Sequence, residues 1–204
     1  MPAPASKLTP ASLRRAGLGA FFRPCDLRPL GITEAMLRNL VRRGEVERVA
    51  RGLYRLVAAD TSELYSVAAT CARVPRGIVC LLTALQIHGI GTRLSPDVWI
   101  GIPYGQRAPR SAPTKIRVVR FSGVLRTAGV EPTRVDGVPT KITNPARTII
   151  DCFRLTRLID RETAVEAARE GLRDRKVSAN GLLRMARECN APERVRQDLE
   201  VLNA

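Results

Sequence analysis

Apolar residues recur along the chain at two spacings, and the changes between them mark three sections. LTPASLRRAGL (8–18) has a helical period, with Thr9 placed to cap it and Pro10 at the first helical position, where a missing N–H costs nothing. FRPCDLRPLG (22–31) predicts a second, shorter helix stopped by Pro29 and Gly31. Thr33 then caps EAMLRNLVRR, and Gly44 stands in the usual C-terminal position. EVERV (45–49) and LYRLV (53–57) read as two short strands around a Gly-containing turn.

The middle section, roughly 60–145, mixes the two periods. SELYSVAATCARV (62–74) and LLTALQIHGI (81–90) are helical, while DVWIGIP (97–103) and KIRVVRF (115–121) have the pattern of strands. GQRAPRSAPT (105–114) is a Pro/Arg/Ser loop, and GVEPTRVDGVPTKIT (129–143) predicts a strand pair turning at Asp136-Gly137. From Asn144 onward the period is helical in four amphipathic segments: NPARTIIDCFRL, RETAVEAAREGLRDR, SANGLLRMARECN and APERVRQDLEVL. Asn144 and Ser178 are their expected caps, and Pro192 lies near the last helix start. Charges of both signs alternate on their outer faces, the pattern of a solvated surface.

The third helix carries the most specific pattern. Met36, Leu37, Leu40 and Val41 share one face at helical spacing and are expected to point into a core. Thr33, Glu34, Arg38, Asn39, Arg42 and Arg43 then point outward. In a major groove Arg bonds guanine bidentately, Asn adenine and Glu cytosine, while Thr meets a phosphate or a thymine methyl. In the hairpin that follows, Gly52 permits a tight turn, and Arg51 at the tip suits a minor groove, where negative potential concentrates. Tyr54 and Leu56 are expected to anchor this wing inward, with Arg48 and Arg55 flanking it toward phosphates. The order of elements is that of a winged helix-turn-helix. The fold class expected is α+β: a winged-helix DNA-binding domain over residues 1–57, then a mixed strand and helix domain over 58–204 that ends in a helical run.

Charge sharpens this picture. Lys and Arg number 34 against 19 acids, a net of +15, and the isoelectric point is near 11.0. Such a balance implies a polyanionic partner, nucleic acid before membrane surface. Residues 1–57 hold eleven basic and four acidic residues, whereas 161–204 hold nine and eight. The first section is therefore where the nucleic-acid site is sought. No apolar run approaches the roughly 20 residues of a membrane span. The opening MPAPASKLTP has no apolar core of the signal-peptide kind. The compartment expected is the cytoplasm.

Other chemistry finds little support in the residue pattern. Five widely spaced cysteines, Cys25, Cys71, Cys80, Cys152 and Cys189, lack C-x-x-C pairing and are expected to be small buried hydrophobes in a reducing compartment. His88 is the lone histidine, so no His-paired metal site or triad is expected, and a structural role at a helix end is. Asp151 is placed to pair with Arg147, four residues earlier. No phosphate-cradling Gly-rich loop is present. The expectations are no cofactor, no metal and no enzymatic activity.

Gly31 through Arg55, G-I-T-x-x-x-L-R-x-L-V-x-R-G-x-x-x-R-V-x-R-G-L-Y-R, resembles the N-terminal domain of the AbiEi antitoxins of type IV, abortive-infection, toxin–antitoxin systems. LLTALQIHGI, the Trp-bearing DVWIGIP, TNPARTIIDCFR (143–154) and the closing GLLRMARECNAPERVRQDLEVL are also similar to that family. The resemblance implies a winged helix that represses its own operon by binding inverted repeats in the promoter. It also implies a C-terminal domain that counteracts a nucleotidyltransferase-like toxin, directly or indirectly. By analogy it carries DNA contacts to Thr33, Arg38, Asn39, Arg42 and Arg51. Three alternatives stay open on the residues alone: a winged-helix regulator without an antitoxin role, a protein-interaction module, and a nucleic-acid-processing enzyme with residues 60–145 as its core.

Overall fold

The computed structural model describes residues 9–59, 62–108 and 114–203. The first eight residues of the polar opening, and residues 109–113 of the Pro/Arg/Ser loop, lie outside them. The chain divides into two compact units. One holds the described residues through Pro75 together with Thr114 and Thr133–Thr140; the other holds Arg76–Ala108, Lys115–Pro132 and the chain from Lys141 onward.

In the first unit, α1 (Pro10–Arg15) begins at a capping box in which Ser12 N–H donates to Thr9 Oγ1 and Thr9 N–H to Ser12 Oγ. After it come β1 (Phe21–Phe22), α2 (Pro24–Leu27) with a 3-10 turn over Arg28–Leu30, α3 (Glu34–Arg42), β2 (Val46–Ala50), β3 (Leu53–Leu56) and α4 (Tyr65–Arg73). The three strands form an antiparallel sheet in the order β1-β3-β2, with Phe22 opposite Tyr54 and Glu47 opposite Arg55. Only two residues long, β1 has no period to betray it in the sequence. Leu13, Leu27, Ile32, Leu37, Leu40, Val46, Leu53 and Leu56 are buried in this unit.

A second sheet has five strands in the order β6-β5-β4-β8-β7, and all of it but the hairpin end Thr133–Thr140 belongs to the second unit. The strands and the helix among them are, in chain order, β4 (Ile78–Val79), α5 (Leu81–His88), β5 (Val98–Pro103), β6 (Ile116–Phe121), β7 (Val130–Val135) and β8 (Val138–Thr143). β5 and β6 run parallel, with Ile100 beside Val118, and β4 is parallel to β8 but antiparallel to β5. Asp136 and Gly137 both take positive φ, 47° and 76°, as a two-residue type I′ hairpin turn requires. The chain closes with α6 (Pro145–Arg154), α7 (Arg161–Arg173), α8 (Ala179–Glu188) and α9 (Glu193–Asn203). Asn144, Asp160 and Ser178 each accept the backbone N–H three residues on. Ile149, Ile150 and Phe153 of α6 are buried in one core with Leu85, Trp99, Phe121, Ala167, Leu182 and Leu199. No helix of the described residues is long and apolar enough to cross a membrane.

Arg147 lies fully buried in that core. Its Nε donates to Asp151 Oδ2 at 2.9 Å, its Nη2 to Leu125 O at 3.0 Å and its Nη1 to Ala128 O, and the guanidinium stands 4.9 Å from the Phe121 ring centroid. Arg154 adds a second bond, to Asp151 Oδ1 at 2.8 Å. The pairing of Arg147 with Asp151 is the one their i, i+4 spacing suggests, but its depth is not.

Candidate nucleic-acid interface

α3 starts where Thr33 caps it, its hydroxyl accepting Met36 N–H at 3.3 Å. Leu37 and Leu40 are buried and hold the helix in its unit, so the opposite face is presented. The expectation that Met36 and Val41 share the core is corrected: each is 37% exposed. A stripe centred on Leu37 and Leu40 leaves both residues at its edges, about 70° away by helical geometry. Nine residues of helix bury two side chains well, not four.

Glu34, Ala35, Arg38, Asn39, Arg42 and Arg43 are all exposed. Arg38 lies 4.0 Å from Glu34, one helical turn earlier. Arg42 Nη2 donates to Asn39 Oδ1, which fixes the orientation of that carboxamide. Arg43 is paired with Glu45 at 2.9 Å. Exposed pairs of this kind contribute little to stability.

The hairpin turns at Arg51-Gly52, with Gly52 at φ 71° in open space. Arg51 and Arg48 are exposed. Arg55 has a different setting. It is half-buried, donates to Glu47 Oε2 at 2.9 Å across the ladder, and lies 5.8 Å from the Tyr65 ring centroid. The inward anchors of the wing are Leu53 and Leu56; Tyr54 is only half-buried and stacks on Phe22 at 6.0 Å, which corrects its expected place beside Leu56. Between α3 and the wing runs a groove of about 800 Å³, walled by Arg38, Asn39 and Arg42 on one side and Arg48 and Tyr54 on the other. Pro24 lines it too, and neither Tyr54 nor Pro24 is marked as lining by the residue pattern. Tyr54 is held there opposite Phe22 of β1, a strand too short to have a period of its own in the sequence.

His88 ends α5, and its Nε2 hydrogen-bonds Thr143 O at 2.7 Å, so that nitrogen carries the proton. Four cysteines are buried as expected, but Cys25 is exposed at the start of α2. Burial pushes the Cys71 thiol up to about 11 and raises Cys80 and Cys152 as well, which keeps them protonated and unreactive at neutral pH. Among the described residues no group of three or more His, Cys, Asp or Glu side chains could hold a metal ion.

Residues 11–57, from α1 through the wing, match a family of transcriptional regulators, the AbiEi antitoxins. The match contains the whole of Gly31–Arg55, where the sequence showed that likeness. In fold, the chain is similar to the crystal structure of the RV2827C protein from Mycobacterium tuberculosis, with a TM-score of 0.58 at 17% identity, over 98% of this chain and 79% of that one. No curated protein sequence matches the chain.

Proposed function

From a segment, residues 11–57, that matches the AbiEi antitoxin regulators, we propose that this protein binds the promoter of its own operon and represses it, and that it counteracts a nucleotidyltransferase-like toxin. Residues 1–57 are the DNA-binding domain in this reading, and 58–204 the antitoxin domain. The observation that carries it is the presented face of α3, where Arg38, Asn39 and Arg42 stand exposed beside a groove whose far wall carries Arg48. α3 enters the major groove of double-stranded DNA, Arg51 at the wing tip reaches the adjacent minor groove, and the sugar–phosphate strand between them passes through the α3–wing groove. Thr33, Arg42, Arg43 and Arg48 meet phosphates, while Arg38, Asn39 and Glu34 face base edges. Arg55, engaged by Glu47 and Tyr65, holds the wing in place. Binding inverted repeats requires two copies on the DNA. The work is done without catalysis, in the cytoplasm, with no cofactor.

Fluorescence anisotropy of the purified protein with its own upstream promoter and with a scrambled duplex tests this. Tighter binding to the promoter is expected. Equal affinity for both duplexes would remove the operator reading.

A further inference from the structure

Resting on the DNA reading, we infer that Met36 is a specificity-determining residue that reads a thymine C5-methyl group, next to an adenine read by Asn39. Met36 is an apolar side chain out of place: it is 37% exposed on a helix whose other exposed side chains, Ala35 and Val41 apart, are polar or charged. It occupies the first turn of α3, the part of a recognition helix that contacts base edges. Val41, equally exposed, lies at the other end of the helix and lines the groove toward Arg48 and Tyr54, where the backbone strand passes.

Position then couples Met36 to Asn39. Residues three and four apart on a helix are surface neighbours, so Met36 and Ala35 both adjoin Asn39. Ala35 is exposed and carries only a methyl, which lets the helix approach the base edges closely. Asn39 has its carboxamide oxygen engaged by Arg42, leaving the amide N–H₂ to donate to adenine N7 and a second lone pair to accept from adenine N6. Where adenine stands on one strand, thymine stands opposite, and its C5-methyl is the apolar group on the floor of the major groove. The flexible thioether of Met36 fits an irregular apolar contact of this kind. Arg38, Arg42 and Arg48, which line the adjoining groove with Asn39, commit the surface to a polyanion rather than to a protein of mixed charge.

Uracil in place of thymine removes that methyl and keeps the base pairing. The promoter fragment is prepared once with thymine and once with deoxyuridine throughout, and anisotropy titrations compare the two for wild type, Met36→Ala and Met36→Leu. Wild type is expected to bind the uracil duplex more weakly by roughly fourfold for each methyl contacted, the factor that burying one such group implies. Met36→Ala is expected to bring the two duplexes close together, and Met36→Leu to keep most of the difference. Equal binding of both duplexes by wild type, with promoter preference over the scrambled duplex intact, overturns the methyl contact and leaves the operator reading standing. An undiminished thymine preference in Met36→Ala places the methyl reader elsewhere and also overturns it. A change in sedimentation of the free protein on Met36→Ala assigns the side chain to a contact between copies instead. Loss of promoter preference in every variant and in wild type is the separate failure of the operator reading.

Discussion

At the scale of single residues, the arginines of the first unit divide by what surrounds them. Arg38 has a carboxylate 4.0 Å away and otherwise faces solvent, and Arg51 sits at a turn tip, whereas Arg55 is committed to Glu47 and Tyr65. A base reader and a phosphate contact fail differently when truncated. Arg38→Ala is expected to lower promoter preference by roughly 1–3 kcal/mol. Arg51→Ala should weaken promoter and scrambled duplexes alike. Competition titrations with both duplexes separate the two, and an even loss for Arg38→Ala would remove its base contact. In the second unit, Arg147 is a residue of the opposite kind, with every nitrogen turned inward. Arg147→Ala strands Asp151 in the core with Arg154 as its remaining cation, so urea unfolding should show a loss of about 3–5 kcal/mol. A loss below about 1 kcal/mol would mean that Arg154 alone neutralises the site.

Elements depend on contacts at their ends and on their closest approaches. A Cβ added at Gly101 on β5 would lie 2.2 Å from Phe121 Cε2 of neighbouring β6. Phe121 is buried and carries the Arg147 guanidinium on its face, so it has little room to move. Gly101→Ala is expected to destabilise by about 1–3 kcal/mol in urea unfolding through this overpacking; a neutral outcome would show that the ring can turn aside. α7 depends on Asp160, whose carboxylate accepts Thr163 N–H at 2.8 Å. That backbone bond, then the Thr163 hydroxyl and Arg93, hold its pKa down to about 2 from the ordinary 3.8. A carboxylate lowered on folding stabilises the native state fully above its unfolded pKa, and that contribution fades as pH falls through the folded value. Thermal midpoints of wild type should therefore decline between about pH 4 and pH 2 more steeply than those of Asp160→Asn. Asn keeps the cap but cannot titrate. Parallel declines would assign the acid sensitivity to other carboxylates.

For the molecule as a whole, a net charge of +15 makes the proposed DNA binding sensitive to salt, to a degree set by the phosphates contacted. If Arg42, Arg43, Arg48 and Arg51 each neutralise one phosphate, the logarithm of affinity should fall against the logarithm of salt with a slope of roughly −3 to −4 per protomer. Anisotropy across a salt series measures it. A slope near zero would exclude phosphate contacts and favour docking on a protein. How the chain comes to present that charge divides between two kinds of information. Helix caps, strand alternation and turn chemistry act over three or four residues, so Thr9, Thr33, Asn144 and Ser178 mark their helices and Asp136-Gly137 its hairpin without reference to anything distant. The same local rules place Arg38, Asn39 and Arg42 on one outward face. Burial obeys no such rule, because it depends on which remote segments arrive. Phe21-Phe22 becomes a strand only because β3, some thirty residues later, pairs with it. Arg55 turns from the solvent because Glu47 lies opposite and Tyr65 nearby. Arg147 is buried because carbonyls of Leu125 and Ala128 wait about twenty residues upstream. Met36 and Val41 stay exposed because no described segment covers the edges of so narrow a stripe. Pattern within a turn of chain therefore fixes what the longer elements are and which charges they carry, and only the packed tertiary structure makes a strand of Phe21-Phe22 and decides which side chains stay exposed.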